Sequence, residues 1–186
     1  MTGSNLKDKV TLQTLERDEV GNWSWKAAGQ LYAQAKQDDR KNLFSSIGIG
    51  ARGATFCIRK RKLTLHDSFL WRGQHCFLTS ILPTEGTRGF LTVKAALVTP
   101  RIWTADADLA VGGPAFPGVI TEMYVRHDTP DFHSEVHGRF VLVTPKAIEL
   151  APGSWVASDG KVYRVETPHL LDDAKNEYEI LRREDC

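Results

Sequence analysis

A β unit that occurs twice constrains this chain more than any other feature. Residues 63–93, LTLHDSFLWRGQHCFLTSILPTEGTRGFLTV, read as Leu70-Trp71, a tight turn at Arg72-Gly73-Gln74, a strand from Cys76 to Ile81, a polar reversal at 83–89, and a strand Phe90-Leu91-Thr92-Val93. The same order returns at Trp155-Val156, with a turn at Asp159-Gly160-Lys161, a strand from Val162 to Glu166, a polar reversal, and Glu177-Tyr178-Glu179-Ile180-Leu181. Gly73 matches Gly160, Cys76 matches Tyr163, Leu78 matches Val165, Leu91 matches Tyr178 and Val93 matches Ile180, all 87 residues apart. A glycine at a short reversal supplies the positive φ that hairpin turns require. A recurring unit of this kind points to a duplicated antiparallel β module.

The expected architecture is mainly β: two tandem small antiparallel barrel or sandwich units, the first carrying a long Gly-rich loop. Residues 1–98 form the first unit with its loop at 37–53, residues 99–118 a linker rich in Pro and Gly, and residues 119–186 a second, degenerate unit. Val10, Leu12 and Leu15 near-alternate as a first strand, and 119–126 occupies the matching position in the second unit. Residues 23–36 read as one long bent strand, because Leu31, Ala33 and Ala35 continue an alternation begun by Trp23 and Trp25. Trp71 and Trp155 are expected at equivalent places in the two cores.

Charge divides the same way. Residues 1–98 hold 15 Lys and Arg against 8 Asp and Glu, a net +7, and residues 99–186 hold 9 against 15, a net −6. A basic unit joined to an acidic one suits a protein that meets a polyanion with one surface, or that stacks basic face on acidic face with copies of itself. The opening MTGSNLKDK has no basic head followed by an apolar run, and no stretch approaches the ~18 apolar residues of a membrane span. Cys57, Cys76 and Cys186 have no CxxC spacing, so a reducing cytoplasm, no disulfide framework and no structural zinc are expected.

Enzyme signatures are weak. Gly48, Gly50 and Gly53 spell GxGxxG, but no strand-loop-helix context surrounds them. His133, Glu135 and His137 would share one face of an extended strand and could hold a metal, yet the spacing matches no specific pattern and a polar loop is the default. His75 and Cys76 are neighbours in a strand and therefore point apart, which argues against a nucleophile and its base. The reading is a non-catalytic protein with neither cofactor nor metal. Cations at 59–62 end a strand and either meet phosphate in a channel or groove or guard a sheet edge. The tryptophans either stack on nucleobases, fill cores or anchor a subunit interface.

A family resemblance runs through the same residues. Leu6, Val10 and Leu12 in the first strand, Asp18-x-x-Gly21-Asn22 before Trp25, Tyr32-Ala33, the turn at Gly73 with Cys76 and Leu78, and the closing segments 152–165 and 175–180 together resemble the head-tail joining (adaptor or stopper) proteins of long-tailed bacteriophages. The resemblance implies small β-barrels that form rings below the portal, close the DNA-filled head and dock the tail. It implies as partners further copies in a cyclic ring of sixfold or twelvefold order, a portal or adaptor on the head side, a tail terminator or tail tube protein on the tail side, and packaged DNA without sequence preference, with no membrane. Such a protein resides in the virion neck and is assembled in the host cytoplasm. Arg40, Lys41, Arg52, Arg59 and Arg61 are then expected to face the DNA channel. Phe44, Ile47, Ile49, Trp23 and Trp25 are expected at subunit contacts. The alternatives are a stand-alone nucleic-acid-binding barrel or a metal-dependent hydrolase using His133, Glu135 and His137.

Overall fold

The structure, a computed structural model, describes residues 6–41, 52–106, 112–122 and 139–183. Twelve strands and no helix occur among them. Six strands close the first barrel: β1 (Asp8–Arg17), β2 (Trp23–Lys41), β3 (Arg52–Arg59), β4 (Asp67–Trp71), β5 (Gln74–Pro83) and β6 (Phe90–Val98). The second closes from β7 (Arg101–Ala105), β8 (Ala115–Glu122), β9 (Arg139–Pro145), β10 (Trp155–Ser158), β11 (Lys161–His169) and β12 (Lys175–Arg182). All ladders are antiparallel, and closure leaves no sheet edge in either unit.

The duplication extends to strand register. Around the first barrel the order is β1-β2-β3-β6-β5-β4, and around the second it is β7-β8-β9-β12-β11-β10. Val10 opposes Leu31 as Trp103 opposes Phe116, and Ala35 opposes Phe56 as Ile120 opposes Leu142. Phe56 opposes Val93 as Leu142 opposes Tyr178, and Leu78 opposes Ala95 as Val165 opposes Ile180. Phe69 lies between Leu12 and Cys76 as Val156 lies between Ala105 and Tyr163. A bulge follows Leu78 in β5, and another follows Val165 at the same place in β11. One set of equivalences therefore satisfies every ladder of both barrels, so the two share one stagger and one bore.

Both β4-β5 and β10-β11 turns carry two residues with positive φ, Arg72 (53°) with Gly73 (78°) and Asp159 (50°) with Gly160 (72°). This is the mirror-image two-residue turn whose twist suits a hairpin.

Several sequence expectations change. Residues 99–118 are not a linker: they hold β7 and half of β8, and β7 takes the place of β1. Residues 119–122 therefore continue the counterpart of β2, not of β1. The last strand is displaced by two residues from the constant separation, so Tyr178 corresponds to Val93 and Ile180 to Ala95. A shift of two preserves the inward face, which is why alternation alone could not detect it. Residues 37–41 and 52–53, expected in the loop, are strand. Trp155 is half-buried beneath the Arg183 guanidinium; the core tryptophan of the second barrel is Trp103, 1% exposed.

Each core is filled from the equivalent positions. Val10, Phe56, Phe69, Val93 and Leu78 fill the first, with the Phe56 ring edge-on to Phe69 and Trp71. Trp103, Phe116, Leu142, Val156, Tyr163 and Tyr178 fill the second. Where the second has Trp103 for Val10, it has Gly118 for Ala33, since a Cβ on Gly118 would lie 2.9 Å from Leu142 Cδ1 and 3.0 Å from Trp103 Cδ1. Enlargement at one position is matched by reduction at its neighbour, which keeps the interior filled. Segment 146–150 closes one end: Tyr178 donates its hydroxyl to the Ile148 carbonyl at 3.0 Å, and Asn176 Nδ2 donates to the same carbonyl at 2.9 Å.

Candidate interaction surfaces

The two barrels are joined by more than the chain. β1 stays paired with β4 as far as Thr14, past a bulge at Leu12 and Gln13, and from Leu15 onward the β1-β2 hairpin reaches the other barrel, where Leu15, Trp23 and Trp25 pack on its core residues. Its turn is built by Asp18, whose carboxylate accepts from the Val20 and Asn22 backbone N–H groups and from Asn22 Nδ2. That fixes Asn22 so that its Oδ1 accepts from the Ala115 N–H at 2.8 Å, at the start of β8. On the outer face of β5 and β6, Phe77, Ala96 and Val98 pack with Val119 of β8. The structure thus places Trp23 and Trp25, expected at a subunit contact, in a joint within one chain. Phe44, Ile47 and Ile49 lie outside the described residues.

His75 sits in the same joint, its ring 5.1 Å from that of Trp25. Burial holds its imidazole down to about 4, and its Nε2 has no hydrogen-bond partner among the described residues. Cys76 points the other way, into the first core, where burial pushes its thiol up to about 12. A neutral imidazole on one face and a protonated thiol on the other do not form a catalytic pair. Among the described residues no group of three or more His, Cys, Asp and Glu could hold a metal. His133, Glu135 and His137 lie outside those residues. The segment carrying them joins β8 to β9, the same place in the strand order as 42–51 between β2 and β3.

Of the expected channel cations, the side chains of Arg40 and Lys41 lie outside the described residues. Arg40 and Lys41 belong to the end of β2, and Lys41 pairs through its backbone with Arg52. Arg52 begins β3 and Arg59 ends it, so they stand at opposite ends of the strand. Arg59 and Arg61 do come together, with Lys60, around a cleft of about 430 Å³ on the first barrel. Tyr32, 60% exposed, stands on its rim, and Leu6, Leu31 and Ile58 supply its apolar part. No ion pair is formed by Arg59, Lys60 or Arg61 among the described residues. Sequence reading found the cations; it missed Leu6 and Tyr32, whose approach to them follows from the β1-β2-β3 register.

The second barrel presents the opposite chemistry. Between β11 and β12 runs Leu170-Leu171-Asp172-Asp173, with Leu171 fully exposed and Leu170 at 41%. Lys146 Nζ donates to the Leu170 carbonyl at 2.6 Å, the Ala174 N–H donates to Asp172 Oδ1 at 2.8 Å, and Lys175 Nζ lies 3.5 Å from Asp172 Oδ2. These contacts fix the shape of the reversal while leaving the Leu171 side chain in water.

No protein family, curated protein or solved structure matches the chain.

Proposed function

We propose that this chain is a non-catalytic structural protein of a tailed-phage virion, a wedge in a ring at the head-tail interface that closes the DNA channel and docks the tail. The observation that carries the reading is the tandem of two barrels with one register, locked by the Asn22–Ala115 bond and the Trp23–Trp25 face. A ring subunit transmits load between neighbours above and below, and a stiff two-barrel body suits that task better than two beads on a tether. The Asp18-Gly21-Asn22 turn, one of the residue groups through which the sequence resembles head-tail joining proteins, is the element that makes this joint. Arg59, Lys60 and Arg61, which form no ion pair among the described residues, suit non-specific contact with packaged DNA or with acidic neighbours. The proposed partners are further copies of the chain, a portal or adaptor on one side, and a tail terminator or tube protein on the other. Deleting the chain from the phage genome tests the reading. The expected result is DNA-filled heads that neither hold their DNA nor join tails; heads that do both overturn it.

A further inference from the structure

We infer that the leucine-aspartate reversal of one copy seats in the basic cleft of the next copy, making the head-to-tail contact of a ring. The inference rests on the ring reading above and adds the surfaces that would build it.

The two otherwise equivalent barrels differ at these two surfaces. In the second barrel the cleft residues are replaced: Pro117 stands for Tyr32, Pro145 for Arg59 and Ala147 for Arg61, leaving Lys146 alone in place of Lys60. In the first barrel the reversal between β5 and β6 is Thr84-Glu85-Gly86-Thr87-Arg88-Gly89, with no leucine. Each surface therefore occurs on one barrel only.

Their chemistries are complementary. The cleft offers an apolar part from Leu6, Leu31 and Ile58, with Tyr32, Arg59, Lys60 and Arg61 around it. The reversal offers two exposed leucines followed by two carboxylates. Leucine side chains fit within about 430 Å³ and would leave water, while Asp172 and Asp173 would reach the cations on the rim. The reversal is held before binding by Lys146 and by the Asp172–Ala174 bond, so little ordering entropy opposes docking. Because the two surfaces differ, the contact is heterologous, and repetition closes into a ring or runs on as a filament.

The test uses the full chain in two forms, Leu171→Asp and the pair Arg59→Glu with Arg61→Glu. All three positions are exposed, so folding is preserved. Sedimentation is expected to show self-association of the parent and a loss of about tenfold or more in association for each variant alone. An equimolar mixture still has one intact reversal and one intact cleft, so it forms a one-to-one dimer that grows no further. A parent chain monomeric up to about 1 mM, variants that associate like the parent, or a mixture that stays monomeric overturns the contact. So does a Leu171→Asp chain that associates normally while only the arginine variant releases a single-stranded oligonucleotide, which would assign the cleft to nucleic acid. Rings that persist in virions of either variant would remove this contact and leave the ring reading standing. Heads that close without the protein would remove the ring reading, and sedimentation would still judge the contact.

Discussion

Asn22 Oδ1, in the first hairpin turn, accepts a hydrogen bond of 2.8 Å from the backbone N–H of Ala115, where the second strand of the other barrel begins. Asn22→Ala leaves that N–H without its partner and frees Asp18 from its side-chain contact. The expected loss is about 1–2 kcal/mol of stability, measured by chemical denaturation. Hydrogen exchange should quicken around residues 18–25 and 115–120 together. Faster exchange on one side alone would contradict a shared joint.

The paired turns give a test of the duplication. Gly73 and Gly160 have φ of 78° and 72°, and a Cβ at either meets nothing within 4 Å. Alanine at either site should therefore cost only its conformational penalty, about 1–2 kcal/mol. Near-equal losses in the two variants are expected from thermal or urea unfolding. A much larger loss at one would mean that the turns are not equivalent.

The turns were legible in sequence because glycine marks them and alternating apolar residues flank them. Less was visible where the physics leaves no local mark. Ile102-Trp103 is a two-residue apolar run bracketed by Pro100 and by Gly113-Pro114, so it reads as a linker until barrel closure demands a sixth strand. The two-residue displacement of β12 was invisible because it keeps Tyr178 and Ile180 pointing inward. Of the candidate surfaces, the cations at 59–61 were legible and Tyr32 was not, since its place beside them is set by cross-strand register. Trp23 and Trp25, expected at a subunit contact, cover the second core of the same chain instead, because exposed aromatics mark a surface that packs without identifying what lies across it.

Stability should depend on pH through His75. Its imidazole is held down to about 4 from 6.5 by burial, so between those values the unfolded chain binds the proton and the folded chain does not. Stability is therefore highest above pH 6.5 and falls as pH drops to about 4, by on the order of 3 kcal/mol. His75→Phe should flatten that slope while keeping the ring against Trp25. The Asn22 side-chain hydrogen bond holds the Asp18 carboxyl below 3.8, so the Asp18 contribution is lost at lower pH than this window. A slope that survives in His75→Phe would assign it to other groups.

Gly118 and Trp103 share one volume in the second core. Gly118→Ala puts a methyl against Trp103 and Leu142, and is expected to cost about 1–3 kcal/mol. The double variant Gly118→Ala with Trp103→Val copies the first barrel at both positions. It should recover part of the loss relative to Trp103→Val alone, read from a double-mutant cycle of urea unfolding. Strict additivity would show that the two positions do not trade volume.

The proposed ring can be looked for by electron cryomicroscopy of the neck in tailed particles from a host carrying this chain. The expected image is a ring between portal and tail whose repeating density is two six-stranded barrels packed through the Trp23–Trp25 face. A neck fully accounted for by other proteins, with no tandem barrels in the ring, would contradict it.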